Sequence, residues 1–155
     1  MPGNEGDRTE KETVLFICSF NSVRSQMAEG LLRARCGNRF EVFSAGIAPA
    51  GLNPNAVAVM REIGIDISGQ QSKSLSLFSG RTFTYVNTMC DHARLALSSS
   101  LPTGIYTNHH SFTSPSELRK NRNDILADYR KLREEINTWL SELFPDCPGA
   151  GITGR

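Results

Sequence analysis

The stretch "VLFICSFNSVRSQMAEGLLR", Val14 to Arg33, decides the fold. Residues 13 to 17 (TVLFI) are continuously apolar and β-favouring, the pattern of a strand buried on both faces of a parallel sheet. The run stops at Cys18, crosses a few small or polar residues, and restarts at Arg24 as a helix, with Met27, Leu31 and Ala34 at helical spacing as far as about Cys36. Outward from this unit the alternation repeats. Phe40 to Ala45 (FEVFSA) predicts a second strand ended by Gly46, and Pro54 to about Ile63 a helix stopped by Gly64. Thr82 to Thr88 and the short Gly104 to Asn108 predict two more strands. Asn123 to Phe144 carries Ile125, Tyr129, Leu132, Ile136, Leu140 and Leu143 as the apolar stripe of a long helix. The pattern is α/β: a single domain with a parallel sheet of about four strands, right-handed crossovers and helices on both faces. Residues 12–144 form that domain. The arm 1–11 and the Pro/Gly-rich tail 145–155 have little to bury and are expected to be mobile.

Composition excludes several classes of function. The 155 residues carry 17 basic and 16 acidic side chains, with no basic block that would suit nucleic acid or an anionic membrane. No apolar run approaches the roughly 20 residues that span a bilayer, and the opening "MPGNEGDRTEKE" is unlike a secretory signal, so a cytoplasmic protein is expected. Cys18, Cys36, Cys90 and Cys147 form neither a zinc pair nor a secreted disulfide framework. In a reducing compartment they read as inert or reactive thiols.

In a parallel α/β sheet ligands bind beyond the carboxyl ends of the strands, which is where "CSFNSVRS" lies. A short loop curling into a helix start turns successive backbone N–H groups inward, and the helix terminus and Arg24 add positive charge. Ser19, Phe20, Asn21, Ser22, Val23, Arg24 and Ser25 then form an oxyanion cradle, whose field also favours the thiolate of Cys18 as a nucleophile. Asn21 tolerates a left-handed backbone and can brace the turn, and Ser25 can donate to the sulfur. The plainer alternative is a buried core cysteine and a surface arginine. Walker-type and dinucleotide loops are excluded because their Gly-Lys-Ser/Thr and glycine signatures are missing.

"FICSFNSVRSQMAEGLL", followed by "FEVFSAGIAPAGLNPNAVAVMREIGIDISGQQSKSL" and "TMCDHA", resembles the low-molecular-weight protein tyrosine phosphatase family, and most closely its arsenate reductase branch. The resemblance runs from about Thr13 to Leu140. It implies that Cys18 attacks phosphorus or arsenic, that Arg24 binds the oxyanion, and that Asn21 and Ser25 support the loop. For the reductase branch it implies that Cys90 displaces arsenite from Cys18 and leaves a disulfide. No bound cofactor or metal is implied. The partners are an arsenate- or phosphate-type oxyanion and an external thiol donor: glutathione with glutaredoxin, mycothiol with mycoredoxin, or thioredoxin.

Three departures from the family pattern bear on mechanism. Leu97, with Ser98 beside it, stands where thioredoxin-coupled members carry a third cysteine. Ser114 precedes Pro115 where an Asp-Pro general acid is usual, and a hydroxyl cannot replace a carboxylic acid in protonating an alkoxide. Solvent, Arg24, His109 or His110 remain as proton sources for arsenate. A monovalent-cation site in some reductases matches Asn21, Glu29 and Ser44, but Lys73 occupies the fourth position, where its ammonium would stand in for the cation. His92, beside Cys90, is placed either to tune a thiol or as a surface residue. His109 and His110 are adjacent and diverge, so joint metal ligation is not expected. Trp139 reads as packing, and Cys36 is given no role. Cys147 reads as an incidental surface thiol or, less simply, as an internal resolving thiol on the tail. Three functions are open: an arsenate reductase, a phosphatase on phosphotyrosine or small phosphate esters, and a catalytically weak oxyanion-binding relative.

Overall fold

The computed structural model describes residues 11–96, 102–118 and 120–147. In chain order the elements are β1 (Glu12–Cys18), α1 (Arg24–Cys36), β2 (Phe40–Gly46), α2 (Pro54–Arg61), a 3-10 turn (Leu75–Phe78), β3 (Thr82–Thr88), α3 (Asp91–Ala96), β4 (Thr103–His109) and α4 (Arg122–Leu143). The strands form one sheet in the order β2-β1-β3-β4, and every pairing is parallel. The strands and long helices expected from the sequence are all present. The 3-10 turn and α3 are additional, four and six residues long, too short for a periodic pattern to announce them.

Both faces of the sheet are covered. Val14 to Cys18 in the central strand are all buried. On one face Phe16 packs on Trp139 with ring centroids 6.3 Å apart, and Phe40 packs on Phe144 at 4.9 Å. On the other, Phe43, Phe78 and Phe83 form a triangle of edge-on rings 5.6 to 5.7 Å apart, so the 3-10 turn acts as a lid over that side. Phe43 is partly buried, and each of the other rings, buried, contributes about 1.5–3 kcal/mol relative to exposure. α2 is started by Asn53, whose Oδ1 accepts from Asn55 N at 2.7 Å, with Pro54 in the first turn. α1 has no side-chain cap at Val23. Its first-turn N–H groups therefore remain available at the end of the loop that follows β1.

The far end of α1 corrects three expectations. Cys36 and Cys147 are joined by a disulfide with their Cα atoms 5.6 Å apart. Cys147 is therefore neither a surface thiol nor a resolving one, Cys36 is its partner, and residues 145–147 do not belong to a mobile tail. Arg35 fixes the same corner: Nη1 donates to Asn137 O and Oδ1, and Nη2 to Ser141 Oγ at 2.9 Å and Cys147 O at 3.4 Å. The two cysteines are 111 positions apart, and only the packing of α1 beside α4 brings them together. α1 has 13 residues. At about 1.5 Å per residue the disulfide lies roughly 19 Å along the helix from the loop after β1, beyond the reach of Cys147 to Cys90. The arm up to residue 10, the tail beyond 147, and Leu97 and Ser98 lie outside the described residues.

Closing so long a loop restricts the unfolded chain, so replacing both Cys36 and Cys147 by Ser should lower the free energy of unfolding by about 2–5 kcal/mol. Denaturant unfolding of the oxidised protein, the reduced protein and the double variant checks this. The reduced protein and the variant should unfold together, ahead of the oxidised one.

Candidate active site

β1 is the strand at which the direction of sheet-building reverses, with β2 on one side and β3 on the other, and the crevice beyond its carboxyl end holds the site. Cys18 ends β1. The loop carbonyls are all engaged on the outer side. Ile47 N donates to Cys18 O at 3.2 Å, Ala48 N to Ser19 O at 2.8 Å, Ala50 N to Phe20 O at 3.0 Å and Asn53 N to Ser22 O at 3.1 Å, while Gln26 Nε2 donates to Asn21 O at 3.0 Å. In a planar trans peptide the N–H points opposite to the C=O, so the amides that follow these carbonyls face the concave side. Gly46 makes the close approach possible: a Cβ there would stand 2.7 Å from Asn21 N and 2.9 Å from Phe20 C.

Asn21 takes φ +47°, the left-handed conformation that turns the loop. Its side-chain amide donates to Ser25 Oγ at 2.8 Å and Ser44 Oγ at 2.9 Å. Its Oδ1 accepts from Lys73 N at 2.7 Å and Gln26 Nε2 at 3.1 Å. Because Ser25 Oγ receives a hydrogen from Asn21, its own hydrogen is free for Cys18 Sγ, 2.9 Å away. The chain continues outward through Ser44, whose Oγ donates to Glu29 Oε1 at 2.5 Å, and Glu29 is ion-paired to Arg33. Lys73 is thus not the cation at this position. Its ammonium donates to Gln71 O at 2.9 Å, and only its backbone supports the loop. Arg33 lies one helical turn beyond Glu29 on α1, the spacing at which side chains meet.

Arg24 is buried; its Nη1 donates to Phe112 O at 3.1 Å, and its Nε has no partner among the described residues. An orphaned buried N–H of this kind is costly unless a ligand satisfies it, and beside an inward-facing amide ring the ligand it suits is an oxyanion. A cleft of about 230 Å³ opens over Cys18 and Arg24, lined also by Phe20, Ser22 and Val23. Its far wall is Ser114, Pro115, Glu117 and Tyr129. Ser114 therefore reaches the site, while His109 does not. His109 Nδ1 lies 2.7 Å from Thr88 Oγ1 and its Nε2 3.1 Å from Asp91 Oδ1, and His110 stacks on Phe112 at 4.3 Å. Hydrogen bonds from Ser111 and then His109 hold the Asp91 carboxyl below the ordinary carboxylate range.

Glu117 was not foreseen. Its carboxylate accepts from Tyr129 Oη and from the amides of Asn55 at 3.1 Å and Asn53 at 3.3 Å, tying the loop after β4 to the start of α2. The Tyr129 hydrogen bond, reinforced by the two asparagines, holds the Glu117 carboxyl below its usual range. Burial, with Glu117 adding to it, pushes the Tyr129 phenol up.

Cys90 follows β3 by two residues, and β3 pairs with β1 up to Thr88 opposite Ile17, so Cys90 lies at the cradle end of the sheet. Both Cys18 and Cys90 are free thiols and both are buried. Ser19 Oγ lies 3.3 Å from Cys90 Sγ and 3.0 Å from His92 Nδ1, so His92 is linked to the second thiol. Among the described residues no three His, Cys, Asp or Glu side chains gather as a metal site, and no helix is long and apolar enough to cross a membrane.

A sheet of this order with a cysteine set in an amide and arginine cradle defines a cysteine-dependent enzyme of oxyanions. Residues 13–144 match the family of low molecular weight phosphotyrosine protein phosphatases, and the chain belongs to it. It is 38% identical over 126 residues to an arsenate reductase of Halalkalibacterium halodurans, an alignment covering 81% of this chain and 90% of that one. Its fold superposes on the structure of an arsenate reductase in an oxidised state with TM-score 0.74 and 28% identity, covering 86% of this chain and 97% of the other. A Corynebacterium glutamicum thioredoxin-dependent arsenate reductase superposes with TM-score 0.66 and 26% identity, over 91% of this chain and 64% of that one.

Two outcomes follow from the geometry. Arg33→Gln leaves the buried Glu29 carboxylate unpaired. Discounted for the half-exposed guanidinium, the loss of stability should be about 1–2 kcal/mol. Added potassium should restore part of it in a thermal melt of the variant while leaving the wild type unmoved. For Glu117 the folded value is depressed, so its contribution is present above the unfolded carboxylate value of roughly 4.3 and is lost as pH falls through the folded one. Glu117→Gln should flatten that acid-side slope of stability against pH.

Proposed function

We propose that this protein reduces arsenate to arsenite through Cys18 and Cys90 and is then reset by an external thiol donor in the cytosol. The observation that carries the reading is the second free thiol at the end of β3, hydrogen-bonded into the loop that starts with Cys18. A phosphatase has no use for it.

Arsenate enters the cleft as an oxyanion, taken by the inward amides and by Arg24. Cys18, supported by the hydroxyl of Ser25, attacks arsenic, and one oxygen leaves as water after protonation. Cys90 as thiolate then attacks Cys18 Sγ. The sulfur–sulfur bond forms, the sulfur–arsenic bond breaks, and its electron pair stays on arsenic, which departs as arsenite. Two thiols have been oxidised and arsenic has gained two electrons. A dithiol protein of the thioredoxin class, or a low-molecular-weight thiol with its own redoxin, returns two electrons to the Cys18–Cys90 bond. The cradle is equally suited to phosphate, and Ser114 on the cleft wall, in place of a carboxylic acid, is what makes it a poor ester hydrolase.

Turnover of arsenate and of an aryl phosphate by one preparation, with thioredoxin and glutaredoxin systems in parallel, tests this. Cys90→Ser should abolish multiple turnover of arsenate and leave ester hydrolysis unchanged. Ser114→Asp should raise ester hydrolysis by about 10-fold or more. Ester hydrolysis exceeding arsenate reduction in the unaltered protein would overturn the assignment.

A further inference from the structure

We infer that His92 is the proton acceptor for Cys90, working through the hydroxyl of Ser19. The inference rests on the arsenate-reducing cycle above and specifies its second step. Cys90 must lose its proton before it can attack Cys18 Sγ. It is 7% exposed, so bulk water does not reach it freely. Among the described residues its sulfur has two hydrogen-bond neighbours: Ala93 N, which donates to it at 3.4 Å, and Ser19 Oγ at 3.3 Å. Ser19 Oγ in turn lies 3.0 Å from His92 Nδ1, and His92 is exposed on α3.

The polarity of this row is fixed by what each group can do. The Ala93 N–H is only a donor, so the sulfur accepts from it. With the thiol protonated, S–H donates to Ser19 Oγ and Ser19 O–H donates to an unprotonated Nδ1. Passing one proton along each bond gives the second state, with Nδ1–H donating to Ser19 Oγ, Ser19 O–H donating to the thiolate, and the sulfur keeping its bond from Ala93 N. Both states satisfy every member, so the proton moves without a broken hydrogen bond, and the imidazolium faces solvent, to which it returns the proton. No other titratable side chain among the described residues competes for Ser19 or Cys90. Asp91, the next residue on α3, is taken by Ser111 at 2.5 Å and His109 at 3.1 Å, and the Cys18 sulfur by Ser25; Arg24 donates through Nη1 to Phe112 O and makes no bond to Ser19 or Cys90, and Arg94 is exposed on α3. Ser19 thus belongs to two devices at once. Its backbone is part of the oxyanion loop and its side chain serves the second thiol.

The test follows Cys90 attack with and without arsenate. In the first arm, excess arsenate is mixed with reduced protein, no thiol donor is supplied, and formation of the Cys18–Cys90 bridge is timed by quench and mass mapping. In the second, Cys18 is loaded with an aryl disulfide reagent, and the coloured aryl thiolate is released as Cys90 displaces it from the Cys18 sulfur. His92→Gln keeps a hydrogen-bonding side chain that cannot take a proton, and Ser19→Ala removes the bridge. Each should slow bridge formation by about 10- to 100-fold near neutral pH in both arms, with the deficit closing in alkaline solution where hydroxide replaces the relay. Ser19→Thr keeps the hydroxyl and should stay within about 3-fold of the wild type, since the same donor and acceptor remain. A merely structural role would give a deficit independent of pH, and that result overturns the inference. So does a His92→Gln rate within about 2-fold of wild type at neutral pH, well below what general base catalysis contributes. A wild-type protein that forms the bridge in the aryl arm but not with arsenate would instead overturn the arsenate assignment and leave the relay standing.

Discussion

The side-chain amide of Asn21 is the contact on which the rest of the site depends. It has two hydrogens and one carbonyl oxygen with two lone pairs, and all four are used: Ser25 and Ser44 accept, Gln26 and Lys73 N donate. A saturated amide at 0% exposure has no alternative partner to turn to, so the strained φ of +47° is held from every side. Saturation also sets directions. Ser25 can only donate onward to Cys18, and Ser44 can only donate onward to Glu29, so a single amide orients the hydroxyl next to the reactive sulfur and the one next to the buried carboxylate.

That second branch ends in a charge, and the charge has to be balanced. Glu29 is 5% exposed, and a carboxylate at that depth is costly to leave without a partner. The chain solves the problem with a residue on the same helix. Arg33 reaches back from the solvent side and also donates to Val42 O at 2.7 Å and Gln70 Oε1 at 3.1 Å, so one guanidinium ties α1, β2 and the segment before the 3-10 turn together. A planar fork with five donors serves three acceptors here, whereas the Lys73 ammonium is turned to Gln71 O.

Much of the fold was legible because the α/β alternation is written in runs of four or more residues. TVLFI, FEVFSA and TFTYVNT name their strands, and the stripe from Ile125 to Leu143 names its helix. Cys18, Arg24 and Asn21 were legible because their chemistry requires those residue types in that loop. The ion pair of Glu29 with Arg33, the Glu117 tie and the Cys36–Cys147 bond were not. The first reads as one of many charge pairs a turn apart on a helix, most of which are only surface pairs. Glu117 acts through Tyr129, twelve positions on, and through two asparagines more than sixty positions back, a separation that no local pattern encodes. The disulfide depends on two helix ends meeting, which is a fact about packing.

The four cysteines are divided by α1 into two pairs with opposite demands. At the amino end of the helix, the proposed cycle forms and breaks a bond between Cys18 and Cys90, and Cys18 opens onto a cleft through which a thiolate can approach. At the carboxyl end, Cys36 and Cys147 are 3% and 5% exposed and enclosed by the clasp of Arg35. Burial alone does not separate the pairs, since Cys18 and Cys90 are 1% and 7% exposed; what sets the first pair apart is the cleft that opens over Cys18, the path of approach that thiol exchange needs.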